Sequence, residues 1–127
     1  MRVTREERGW PGHFIGAAQC NFRRNTLLTC GEIRVVVSTV GAYRPYQTER
    51  FEEIGYDRYY ETMAFMAEFV EPVYWDADVT RRVDFAATWQ INAINKISDA
   101  AANQMHEDVV AELTQCLEQG DLHVSDE

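Results

Sequence analysis

The strongest pattern in the chain is in its last third. From Ala86 to Glu118 there is no Pro or Gly, and apolar residues recur as Ile91, Ile94, Ile97, Ala101, Met105, Val109, Leu113 and Leu117. Steps of three and four residues place these side chains on one stripe, the mark of a helix with one buried face. Thr88 or Asp84 offers an N-cap oxygen, and Gly120 is placed to end the helix. A helix of about thirty residues would span ~45 Å, more than a small sheet covers. The pattern therefore predicts either a break near Asn92 or Asn95 or a projecting end.

Upstream the pattern turns to β-branching and alternation. Glu32 to Val40 is the clearest strand: Ile33, Val35 and Val37 share one face, and Val36 and Val40 add bulk on the other. Apolar groups on both faces point to a central strand covered twice, or to a face that meets a partner. Asn21 to Thr29 reads as a neighbouring strand across the break at Cys30-Gly31, and His13 to Ala18 as an earlier one. Asp57 to Val70 fits either period. Its large aromatics Tyr59, Phe65 and Phe69 on one face favour a strand.

Val73 to Trp75 and Thr80 to Phe85 read as two short strands joined by Asp76-Ala77-Asp78. Gly41 to Gly55 is an excursion, with Pro45 disfavouring helix at the residue before it. Residues 1–12 read as a polar lead-in and 121–127 as a fraying tail. The expected fold is α+β: a single domain over 1–127, with an antiparallel sheet of about four to six strands packed by one long C-terminal helix.

Composition narrows the function classes. The 127 residues suit one domain, and the net charge is -9. That charge is unevenly spread. Residues 1–50 hold eight Arg against four Glu, a net +4, whereas 51–127 hold four basic against seventeen acidic groups, a net -13. So acidic a chain is not expected to coat nucleic acid, because phosphate binding is largely neutralisation by Lys and Arg. No apolar run reaches the length of a membrane span, and the opening residues lack the apolar stretch of a signal peptide. Three scattered cysteines do not make a disulfide scaffold, so a reducing, cytoplasmic setting is expected.

Candidate chemistry is sparse. His13, Cys20, Cys30 and Cys116 are too widely spaced for a zinc site, and buried thiols explain the cysteines as well. Asp76, Asp78 and Asp84 could hold a hard divalent cation, but such pairs are common on surfaces and no EF-hand pattern follows. Glu52, Glu53, Asp57 and Glu61 resemble a solvated face more than an acid–base pair. No phosphate-binding glycine loop is present, and no cofactor or metal is expected. The aromatic inventory is richer: Trp10, Tyr43, Tyr46, Tyr56, Tyr59, Tyr60, Tyr74 and Trp75, interleaved with Arg44, Arg50 and Arg58. Tyr, Trp and Arg dominate interface hot spots, though a small core needs large side chains too.

The stretches GWPGHF, CNFRRNTLL, IGYDRYYETMAF and YWDADV resemble short proteins encoded by bacteriophages and prophages, over about the first two thirds of the chain. That resemblance implies a genomic context and no catalytic residues. The reading it leaves is a non-enzymatic accessory protein that works by contact with a protein partner or by self-association. Trp10, Tyr43, Arg44, Tyr46, Tyr59, Trp75, Glu107, Asp108 and Glu112 are its expected contact residues. Two alternatives remain open. One is an acidic DNA mimic using the carboxylates of Glu107 to Glu127. The other is an enzyme with a small-molecule pocket near residues 41–58.

Overall fold

The computed structural model describes residues 2–8, 13, 17–45, 51–54, 58–70, 74–92 and 98–126. Four long strands make the body of an antiparallel sheet: β2 (Cys20–Cys30), β3 (Ile33–Tyr43), β4 (Arg58–Val70) and β5 (Tyr74–Val83). Three short ones complete it: β1 (Thr4–Glu7), β6 (Gln90–Asn92) and β7 (Val124–Asp126). The order is β1-β2-β3-β4-β5-β7, with β6 also on β4. One helix, α1 (Asp99–Gln119), packs on one face. The expected α+β architecture is present, with seven strands among the described residues where about four to six were expected.

The β2–β3 hairpin follows from its sequence. Cys30 pairs with Ile33 across two residues, and Gly31 takes the positive φ of 62° that suits the strand twist. β3 is the central strand anticipated, buried on both faces: Val35 and Val37 meet the helix, and Val36, Ser38 and Val40 are covered on the other side. Ala42 adopts φ 52°, and this local twist turns its methyl into the cluster of Phe22, Tyr60, Ile91, Ala102 and Met105.

The helix starts later than its apolar stripe. Ser98 is the N-cap, its hydroxyl accepting from Ala101 N–H at 3.2 Å, so neither Thr88 nor Asp84 serves. Ile91 belongs to β6, paired with Tyr60. The buried face of α1 is offset by one residue from the expected stripe at its start. Ala101 is exposed and Ala102 is buried, and the inward face runs through Met105, His106, Val109, Val110, Leu113 and Leu117. Gly120 ends it in the left-handed region at φ 68°. Its N–H and that of Asp121 close back on Leu117 and Cys116 carbonyls.

Both chain ends depart from expectation. The lead-in contains β1, paired with β2, and the tail contains β7, paired with β5 over Arg81 to Val83. Asp76-Ala77-Asp78 is no joint either, because β5 runs through it as one strand. Ala17–Gln19 forms a 3-10 turn rather than strand, and the rest of the expected His13–Ala18 strand lies outside the described residues apart from His13.

Candidate functional site

β5 and β6 share the far edge of β4 end to end. β5 pairs with Phe65 to Val70 and β6 with Arg58 to Glu61, which leaves Thr62 to Ala64 without a ladder partner strand on that side. The connecting segment 84–89 bridges the gap instead. Thr62 N–H donates to the Trp89 carbonyl at 2.8 Å, and Glu112 on α1 accepts from the N–H groups of Ala86 and Ala87 at 2.7 and 2.9 Å. The opening is a cleft of ≈ 400 Å³, within the size range of small-molecule sites. Met63, Val83, Phe85 and Trp89 supply apolar wall, and Arg58, Glu61, Arg82 and Asp84 supply charge.

Arg58 is held from two sides. Its guanidinium carbon lies 5.2 Å from the centre of the Trp89 ring, and its Nε lies 3.1 Å from Glu61 Oε2. That second contact is angled off a hydrogen bond and is an ion contact. Burial pushes the Glu61 carboxyl upward, but the His13 hydrogen bond and the charges of His13 and Arg58 outweigh it. The net shift is downward, so Glu61 is ionised at neutral pH. Asp84 accepts from Ser125 Oγ at 2.8 Å, which ties the cleft to β7.

Behind Glu61 stands a hydroxyl–imidazole–carboxylate chain. His13 Nε2 is 2.8 Å from Glu61 Oε1, and His13 Nδ1 is 2.9 Å from Ser38 Oγ. An ionised carboxylate only accepts, so Nε2 carries the proton; in the neutral ring Nδ1 accepts from Ser38. The elements of a nucleophilic triad are therefore in line. Ser38, however, is 1% exposed in mid-strand, and neither it nor His13 lines the cleft. The array tethers the N-terminal segment to the sheet. Sequence spacing had set His13 beside cysteines; its true partners lie on β3 and β4, where no short-range signal could find them.

The described residues among the expected contact set lie on several separate elements. Tyr43 is half-buried against Cys20, Val40 and Ile54, and its carbonyl accepts from Glu52 N–H at 2.8 Å. Arg44 lies over Phe51 at 5.7 Å, and Tyr59 packs on the Phe22–Tyr60 cluster. Trp75 sits under Arg34 at 4.3 Å and edge-on to Phe69 at 5.2 Å. Arg8 similarly covers Tyr74 at 5.1 Å and donates to the Trp75 carbonyl. The arginines thus stack on aromatics of their own chain. Trp10 and Tyr46 lie outside the described residues.

The acidic helix faces its own sheet in the same manner. Glu107 takes both terminal nitrogens of Arg5 at 3.1 Å and Arg24 at 2.8 Å. Asp99 accepts from Tyr60 Oη at 2.7 Å, and Glu112 holds the 86–87 backbone as described. Asp108 accepts from Gln104 at 2.8 Å on the outer face. Asp76 and Asp78 are engaged with the backbone of β5, through Ala77 N–H and Thr80 N–H. Among the described residues no three His, Cys, Asp or Glu side chains converge as metal ligands, and the three cysteines are free thiols. No helix among them is long and apolar enough to cross a membrane.

No protein-family model, curated protein or solved structure matches the chain. The phage context therefore rests on the sequence resemblance alone.

Proposed function

We propose that the protein is a binding domain for a small organic molecule, held in the cleft between β4, β5 and β6. The observation that carries this reading is the gap along β4 itself, where charged groups converge with Trp89, Phe85 and Met63 on an opening of ≈ 400 Å³. Among the described residues, the cleft shares only Arg58 with the 41–58 region singled out from the sequence. Among the described residues its lining offers no activated nucleophile, since the Thr62 hydroxyl is bonded to Thr39 at 2.6 Å on the helix side. Binding is therefore favoured over catalysis. Two of the carboxylates that the DNA-mimic reading uses, Glu107 and Glu112, are engaged within the chain, which weighs against that reading.

The test is a fragment screen followed by amide chemical-shift mapping. Shifts concentrated on Thr62, Ala64, Val83 and Trp89 support the reading. Saturating fragments that shift nothing there overturn it.

A second reading, an accessory protein acting by protein contact or self-association, is favoured by one observation. Ile33, Phe69 and Val70 stand exposed at one end of the sheet, Phe69 by 48%. Light scattering across a concentration series tests self-association; a strict monomer at every concentration removes it.

A further inference from the structure

We propose that the cleft selects small monocarboxylates with a flat apolar body, and that Arg58 is the group that binds their charge. The inference rests on the cleft reading above. Arg58 is unusual among the arginines for how it is held. Its side chain is 27% exposed, its plane is set against Trp89, and its Nε faces Glu61. Neither terminal nitrogen has a partner among the described residues. A guanidinium presents parallel N–H groups spaced for the two oxygens of a carboxylate, and one already fixed in orientation loses little freedom on binding.

The carboxylates of the cleft are partly engaged. Glu61 Oε1 accepts from His13 and Oε2 abuts Arg58, and Asp84 Oδ2 accepts from Ser125. The terminal N–H groups of Arg58 are what the cleft offers a ligand's charge, and they select an anion over a cation. Glu61 and Asp84 still place negative charge on the same wall, and this disfavours a second charge on the ligand. A carboxylate therefore fits better than a phosphate dianion. Beyond the charge, Met63, Val83, Phe85 and Trp89 line the space for an apolar ring.

The experiment titrates the full chain at pH 7 with phenylacetate, phenylacetamide and phenyl phosphate, read by calorimetry. Phenylacetate should bind at least roughly tenfold more tightly than the neutral amide, the scale of a charge-assisted contact. Arg58→Gln should erase that preference, bringing the acid and the amide to equal affinity in the variant, and Arg58→Lys should keep part of it. Because the acid–amide comparison is made on the unaltered chain, it stands even if a variant folds poorly.

Equal affinity for acid and amide overturns the Arg58 proposal while the cleft reading stands. A preference for phenyl phosphate overturns the monocarboxylate assignment. Absence of binding by all three, together with a silent fragment screen, removes the cleft reading and the proposal with it.

Discussion

His106 Nε2 donates to Thr26 Oγ1 across 2.7 Å, a buried bond between the middle of α1 and the middle of β2. The direction follows from the neighbours. The Thr26 hydroxyl donates its proton to Glu7 Oε2 at 2.7 Å, so its oxygen must accept from the ring. His106 Nδ1 is left to accept from Thr39 Oγ1 at 2.7 Å, and Thr39 in turn accepts from Thr62 at 2.6 Å. Hydroxyls on β2 and β3 thus converge on one imidazole, with a β4 hydroxyl behind them, between two apolar clusters of the core. Glu7 also bonds Arg24, which reaches Glu107, the residue next to His106. A fully satisfied polar line at this position fixes how the helix seats on the sheet.

Replacing His106 by Leu is expected to cost about 2–4 kcal/mol. The side chain is fully buried, and its loss leaves the Thr39 proton without its acceptor and the Thr26 oxygen without its donor. Adding Thr39→Val and Thr62→Val to His106→Leu removes the orphaned donor together with the hydroxyl that depends on it, so the triple variant should be more stable than the single one. Urea unfolding of the three proteins checks both statements.

Acid should destabilise the fold in two stages. Burial, helped by the nearby Arg24 charge, pushes the His106 pKa from 6.5 down to about 4. Between those values the unfolded chain binds the extra proton and the folded one does not. Stability is therefore full above about 6.5 and falls as pH drops toward 4, by about 3 kcal/mol in all. Glu107, held down to about 2 chiefly by the Arg5 hydrogen bond, contributes stability above 4.5 that is lost as pH falls toward 2. That lower stage involves a substantially exposed pair and should weaken in salt. Denaturant midpoints measured against pH should show His106→Leu flattening the upper stage only.

The β5 edge should become adhesive when its aspartates are removed. β7 covers only Arg81 to Val83, while Asp76 Oδ1 and Asp78 Oδ1 accept from the N–H groups of Ala77 and Thr80 upstream. Side chains that engage backbone donors blunt an edge against another strand. Asp76→Ala with Asp78→Ala should raise concentration-dependent self-association, measured by light scattering at constant salt.

Two glycines should differ in their tolerance of Ala. A Cβ on Gly41 would lie 2.6 Å from the Tyr59 carbonyl oxygen and against the Tyr60 ring, in a strand paired on both sides. Gly41→Ala should cost about 3 kcal/mol. Gly120→Ala meets nothing within 4 Å and strains only the left-handed backbone at φ 68°, a cost of about 1 kcal/mol. Thermal unfolding of the two variants gives the comparison.

Much of the fold is legible in local pattern. The Val35–Val37 run with Gly31 before it yields the central strand and its hairpin, and Gly120 yields the helix end. The helix start is not legible, because Ile91, Ile94 and Ile97 continue the helical spacing into a segment where Ile91 belongs to β6. Nor are β1 and β7, which carry charged or mixed sequences and become strands because β2 and β5 offer them open edges. The candidate site was missed for a related reason: Arg58, Arg82 and Trp89 come together only because β5 and β6 divide one edge of β4.

Periodicity depends on residues within one or two turns of each other, so the sequence by itself determined the fold class, the central strand and the acidic character of the helix. The tertiary structure alone decided what that charge does. Arg5 and Arg24 meet Glu107, Arg8, Arg34 and Arg58 lie on aromatics, and His106 meets two strands at once. Each of these contacts joins segments far apart in the chain, and their geometry is set by strand order and register, which local spacing does not encode.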